Sequence, residues 1–148
     1  MGKDPFIACE FEMGEIVKIL LKDGRGKAHQ RDSDGHTPLW IACRNEKEEI
    51  AKMLLKWRSE LDLNQVYFMG ETLIWSACFN GNKEIVKILL ASGRKFDVDK
   101  KRIAGDRKWR NGTAAENARE NGHSEIVDLV QEYEQNSKEV MLTENRTG

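Results

Sequence analysis

Four copies of one phrase, at nearly constant spacing, constrain this chain more than any other feature. Ala8-Cys9 leads into Glu15-Ile16-Val17-Lys18-Ile19-Leu20-Leu21, and Ala42-Cys43 into Glu49-Ile50-Ala51-Lys52-Met53-Leu54-Leu55. Ala77-Cys78 leads into Glu84-Ile85-Val86-Lys87-Ile88-Leu89-Leu90, and Ala118-Arg119 into Glu125-Ile126-Val127-Asp128-Leu129-Val130. The alanines are separated by 34, 35 and 41 residues. A period of that length marks a stack of small units, each burying its apolar face against the next.

Each unit contains two helical patterns. The first is short: Thr37 to Arg44, Thr72 to Asn80 and Thr113 to Asn121. A threonine hydroxyl accepts a hydrogen bond from an orphan backbone N–H, so each threonine is placed to cap its helix. Pro38 falls at the first helical position, where its missing N–H costs nothing. Ala42, Ala77 and Ala118 leave room for close approach between neighbours. The second helix carries Ile50, Met53 and Leu54 on one face, as it does Ile85, Ile88 and Leu89, then Ile126, Leu129 and Val130. Glu49, Glu84 and Glu125 sit in its first turn, where negative charge favours the helix dipole. Gly24 and Gly93 suit left-handed C-caps. Lys56-Trp57-Arg58-Ser59 gives repeat two an irregular exit.

Composition narrows the function classes. The 148 residues, 33 % charged and 39 % hydrophobic, suit one soluble domain. No run approaches the ~18 apolar residues of a membrane span. Met1-Gly2-Lys3-Asp4-Pro5-Phe6 lacks the apolar region of a signal peptide. The net charge of −1 supplies no global field for nucleic acid or membrane. Cys9, Cys43 and Cys78 occupy one position in successive units, roughly 8–10 Å apart in a helix stack. A disulfide needs Cα atoms within about 7 Å, so these are expected to be unbridged core thiols in a reducing, cytoplasmic setting, with the nucleus as the alternative.

Asp34-Gly35-His36-Thr37-Pro38-Leu39-Trp40-Ile41-Ala42-Cys43 resembles the turn and first helix of the ankyrin repeat, with Trp40 where the family usually has histidine. Gly70-Glu71-Thr72-Leu73-Ile74-Trp75-Ser76-Ala77-Cys78 is a weaker match. Asn80-Gly81-Asn82 and Asn121-Gly122-His123 resemble the inter-helix turn, and Leu63-Asn64 and Val98-Asp99 the start of the hairpin. The resemblance implies an all-α ankyrin-repeat solenoid of stacked helix-turn-helix units with short hairpin-like loops. Its domain spans 1–134, with repeats near 3–31, 32–66, 67–108 and 109–134, followed by a polar tail or linker over 135–148. Repeat one lacks the Thr-Pro-Leu start and reads as an N-terminal cap or the edge of a longer array. Trp40 and Trp75 replace a histidine that, in the family, braces the hairpin by hydrogen bonding, and indole packing is expected to substitute for it.

The same resemblance implies a non-catalytic module binding a protein or peptide through hairpin tips and inner helices. Carried onto this chain, those positions are Ser33, Asp34, His36, Arg44 and Asn45 in repeat two, and Phe68, Met69, Glu71, Phe79 and Asn80 in repeat three. Repeat four contributes Arg110, Asn111, Glu120 and Asn121. Tyr67 stands where the family has a turn-forming aspartate, so Tyr67-Phe68-Met69 is expected to form an exposed aromatic cluster and the first candidate hot spot. The other reading is that it folds back onto its own stack.

The stretch from Arg94 to Gly112 exceeds its counterpart by six residues, counted from Val98 to Thr113 against Leu63 to Thr72. It holds eight basic and three acidic residues. Lys100, Lys101, Arg102, Arg107, Lys108 and Arg110, with Trp109 among them, could grip an acidic peptide, a phosphate or a single strand. Nucleic acid is disfavoured because a basic stripe over several repeats is lacking. A purely structural segment of a longer array is the remaining alternative. Nothing in the sequence points to catalysis, a metal or a cofactor. Gly24-Arg25-Gly26-Lys27 lacks phosphate-loop spacing, and His29, His36 and His123 lack metal-ligand spacing. A monomer is expected.

Overall fold

The computed structural model describes residues 6–7, 14–22, 30–57, 62–67, 70–102 and 112–147. Among these residues the chain forms seven named helices: α1 Gly14–Lys22, α2 Pro38–Arg44, α3 Glu48–Trp57, α4 Leu73–Phe79, α5 Lys83–Leu90, α6 Ala114–Glu120 and α7 Ser124–Arg146. They form two layers. The short helices α2, α4 and α6 make one, and the longer α1, α3, α5 and α7 the other. Helices pack mainly on their own hairpin mate and on the same helix of the next unit, the nearest-neighbour arrangement of a repeat stack.

The threonines act as their chemistry predicts. The Thr37 hydroxyl accepts from the Trp40 N–H at 3.3 Å and the Thr72 hydroxyl from the Trp75 N–H at 3.3 Å. Thr113 goes further and forms a full capping box, taking the Glu116 N–H at 3.2 Å while its own N–H donates to Glu116 Oε2 at 2.7 Å. Ala42, Ala77 and Ala118 are buried between the layers. The long-helix stripes supply the rest of the core: Ile50, Leu54 and Leu55, then Ile85, Val86 and Leu89, then Ile126, Val127 and Val130. Burying each such aliphatic side chain contributes on the order of 1.5–3 kcal/mol, and this burial drives the stacking.

Inter-helix turns need one residue in the left-handed region. Gly81 and Gly122 supply it in repeats three and four, with φ of 75° and 78°, but repeat two uses Glu46 at φ 57°. At Gly81 the absent side chain has a second use, since a Cβ there would lie 2.6 Å from the His123 ring of the next repeat.

The segment expected as a polar tail or linker over 135–148 is helical in its described part up to Arg146. Helix α7 runs through Tyr133 without interruption to Arg146. Its sequence from 134 to 146 contains no glycine or proline, and three glutamates with Gln135, Lys138, Met141, Leu142 and Arg146 are good helix formers.

Candidate functional site

Three hairpin necks carry the surface on which the candidate site lies. In repeat two Asp32 N–H donates to His36 O at 3.0 Å, and in repeat three Tyr67 N–H donates to Glu71 O at 2.8 Å. In repeat four Arg102 and Gly112 exchange two bonds, of 3.0 and 3.2 Å. Asp32, Tyr67 and Arg102 are thus one structural position, and they fall 35 residues apart. The first two necks enclose three residues each, and the third encloses residues 103–111. Nine residues thus separate the two sides of the third neck, six more than in each of the other two.

What stands at the neck position decides where it points. The Asp32 carboxylate turns into its own loop, accepting from the Asp34 N–H at 2.9 Å and the His36 N–H at 2.8 Å. Partial burial pushes this carboxyl up, but those two N–H groups and the nearby His36 ring outweigh it and hold it below its ordinary value. Asp32, Asp34 and His36 bring three potential ligand atoms within 4.8 Å of one another. The Asp32 oxygens are already committed to the turn, so the cluster reads as loop structure.

Tyr67 and Arg102 are too large to follow Asp32, and both turn back onto the preceding repeat. Tyr67 is 6 % exposed. Its ring lies 5.9 Å from Trp40 and 6.0 Å from His36, and its hydroxyl is 3.3 Å from Thr37 Oγ1 while accepting from Gln65 Nε2 at 3.0 Å. The expected exposed cluster is corrected at this residue: Tyr67 is core, because the aromatic face of Trp40 offers it more contact than water does. Phe68 and Met69 lie outside the described residues.

Arg102 repeats the arrangement one unit later. Its side chain is fully buried, with the guanidinium 5.0 Å from the centre of the Trp75 ring and Nε 3.6 Å from Glu71 Oε1. Removal of this charge from water is offset by the ion pair and the indole face together. Two sequence-based assignments are corrected here. Arg102 cannot serve a solvent-facing basic loop, and the Glu71 carboxylate is turned towards it. Lys100 is partly committed as well, its ammonium donating to Asn64 O at 3.3 Å. Lys101 is exposed. Arg107, Lys108, Trp109, Arg110 and Asn111 lie outside the described residues.

The two replacing tryptophans behave differently. Trp75 Nε1 donates to Gly112 O at 3.0 Å, so hydrogen bonding to the next neck is retained. Trp40 stacks on His36 at 3.7 Å between ring centres, and among the described residues its buried N–H finds no partner. Packing substitutes for hydrogen bonding at Trp40 only.

The remaining candidates form one row along the short-helix layer. Arg44 is exposed, with its guanidinium 5.1 Å over Trp40, and Phe79 is half-buried, stacked on Trp75 at 5.0 Å. Asn45, Asn80 and Asn121 end the three short helices at equivalent positions, all exposed. Each carboxamide reaches one turn back, to Ile41 O at 3.0 Å, Ser76 Oγ at 3.4 Å and Asn117 O at 2.8 Å. These bonds fix the side chains before any partner arrives. Ser33 and Asp34 stand exposed at the first tip, and Glu120 is exposed beside Asn121. Indole packing at Trp40 and Trp75 is expected from sequence, but their role as a floor under Arg44 and Phe79 is not, although the equal spacing of Tyr67 and Arg102 is there to be read.

Comparison with known families fits this geometry. A profile of ankyrin repeats, in three copies, matches residues 5–67, and a single ankyrin repeat matches residues 69–102. The chain belongs to the ankyrin-repeat family. Ankyrin repeats are generally protein–protein interaction modules and generally non-catalytic. The match stops at the third neck, but the ankyrin pattern of capped short helix and long helix continues through α6 and α7. No curated protein matches the chain. Among the described residues no helix is long and apolar enough to cross a membrane.

Proposed function

We propose that this ankyrin-repeat protein is a non-catalytic scaffold that binds a protein or peptide along its short-helix face, at Arg44, Asn45, Phe79, Asn80, Glu120 and Asn121, with Ser33 and Asp34 at one end. The observation that carries this reading is the prefixed row itself. An exposed asparagine recurs at one position per repeat, held by helix-end hydrogen bonds, with Arg44 and half-buried Phe79 beside it stacked on the indoles. A rigid surface binds with less loss of side-chain freedom than a mobile one. Arg44 and Phe79 bring residue types favoured at interface centres. The burial of Arg102 and the engagement of Lys100 count against a polyanion site at this neck.

Cys43 and Cys78 are both buried and form no disulfide with one another, which supports a cytoplasmic or nuclear setting. The test is retention of partners from the source cell by the intact chain and by Arg44→Ala and Asn80→Ala variants. Loss of a specific partner with an unchanged melting temperature supports the face. Retention unaffected by both substitutions sinks it.

A further inference from the structure

A second surface lies on the opposite layer. Between α3 and α5 a groove of about 430 Å³ opens, floored by Leu55, Ile88 and Ala91 and rimmed by Lys52, Lys56, Lys87 and Ser92. Lys52 and Lys87 are bridged to Glu49 and Glu84 on their own helices, at 2.8 and 3.2 Å. The groove is thus an apolar slot rimmed by three lysines, two of them paired with glutamates of their own helices.

The same molecule carries a segment that matches it. Helix α7 is 23 residues long, roughly 34 Å at 1.5 Å per residue. It is anchored on the stack by Tyr133, whose hydroxyl accepts from the Phe96 N–H at 2.9 Å and donates to Arg94 O at 3.3 Å, with Glu134 beside it facing Asp99. Past Ser137 every described residue is exposed, including Val140, Met141 and Leu142 at 54 %, 57 % and 60 %. Three successive positions at ~100° each cover over half of the helix circumference, so a flat surface cannot cover them but a groove can. Glu144 stands one turn beyond Val140 and Met141, placing a carboxylate at the end of that face. Lys138 and Arg146 flank the Leu142 side.

The tail cannot reach its own groove. Helix α7 packs on the far side of α5 from α3 and has no proline or glycine at which to turn back. We propose that the apolar end of α7, Val140 to Leu142, docks into the α3–α5 groove of a second copy, and reciprocally, forming a two-fold dimer held through the outer layer. Both ingredients are present on each copy, so reciprocal exchange satisfies two grooves and two tails at once and closes the assembly. This departs from the monomer expected from sequence and leaves the short-helix face open.

The test is sedimentation equilibrium of the full chain across micromolar to sub-millimolar concentrations. The wild type should approach twice its monomer mass. Val140→Asp/Met141→Asp, which spoils the tail, and Ala91→Arg, which fills the groove, should each reduce dimer at least tenfold at a given concentration. All three positions are exposed, and an unchanged melting temperature checks that the variants remain folded. Mixing the two variants should restore a hetero-dimer, because one intact tail then meets one intact groove. A wild type that stays monomeric, variants that dimerise like the wild type, mixing without recovery, or growth into open chains would each overturn the proposal.

Discussion

The guanidinium of Arg102 lies 5.0 Å over the ring of Trp75, the same relationship that Tyr67 holds to Trp40 one repeat earlier at 5.9 Å. Both of these neck residues, unlike Asp32, reach back to the tryptophan of the preceding unit, so the two tryptophans and their visitors form a spine under the short-helix face. The row of Arg44 and Phe79 rests on the same indoles. The stability of the stack and the shape of its binding surface are therefore coupled through Trp40 and Trp75.

Truncating Arg102 takes a fully buried guanidinium away from both the Glu71 carboxylate and the Trp75 face. Arg102→Ala is expected to lower unfolding free energy by about 3–5 kcal/mol in urea denaturation. The loss should be nearly the same at low and high salt, because a buried pair is poorly screened. A loss below about 1 kcal/mol, or one that vanishes in high salt, would show the arginine to be effectively solvated.

Trp75 and Trp40 should respond differently to the same change. Trp75→Phe deletes the hydrogen bond to Gly112 O and leaves that neck less firmly held, whereas Trp40→Phe deletes a buried N–H that has no partner among the described residues. Trp75→Phe is expected to be the more destabilising by about 1 kcal/mol. Equal costs, or the reverse order, would remove the hydrogen bond from the account.

Glu46 occupies a left-handed turn position that Gly81 and Gly122 fill elsewhere. Glu46→Gly is expected to raise stability by about 1 kcal/mol, relief of strain outweighing the greater freedom of the unfolded chain. Gly81→Ala should do the opposite, since it adds strain and drives a methyl into the His123 ring. Paired thermal melts of the two variants check both signs.

Burial pushes the Cys78 thiol up from 9.0 to about 12, and it also raises the Tyr67 phenol against the opposing hydrogen bonds of Thr37 and Gln65. The folded state therefore holds these protons more tightly than the unfolded chain. Their contribution is fully present below pH 9 and is lost as pH rises towards 12. Unfolding free energy should fall over that window, and Cys78→Ala should make the fall shallower. A Cys78→Ala profile parallel to the wild type would contradict this assignment.

Much of the fold was legible because its determinants are local. The Ala-Cys period, the threonine caps and the aliphatic stripes each depend on residues within one helix or turn. The neck contacts depend on pairs some 30 residues apart. A tyrosine or arginine in place of Asp32 does not say locally whether it will point outward or back onto an indole. Hence Tyr67 and Arg102 read as exposed binding groups and are in fact core. Beyond Tyr133 the helix shows little hydrophobic periodicity, because it has no packed face, so its length was not legible from the pattern. Asn45, Asn80 and Asn121 were visible as equivalent positions, but only the structure shows their side chains held to the preceding turn.

The central claim is that the short-helix face takes the partner, and a photoactivatable cross-linking residue at Asn80 tests it most directly. The control is the same residue at Asp128, exposed on α7 in the opposite layer. After irradiation in source-cell extract, Asn80 should yield a discrete adduct with another protein, distinguished by mass from a doubled chain, and Asp128 should not. An adduct from Asp128 alone, or none from Asn80, would contradict the account.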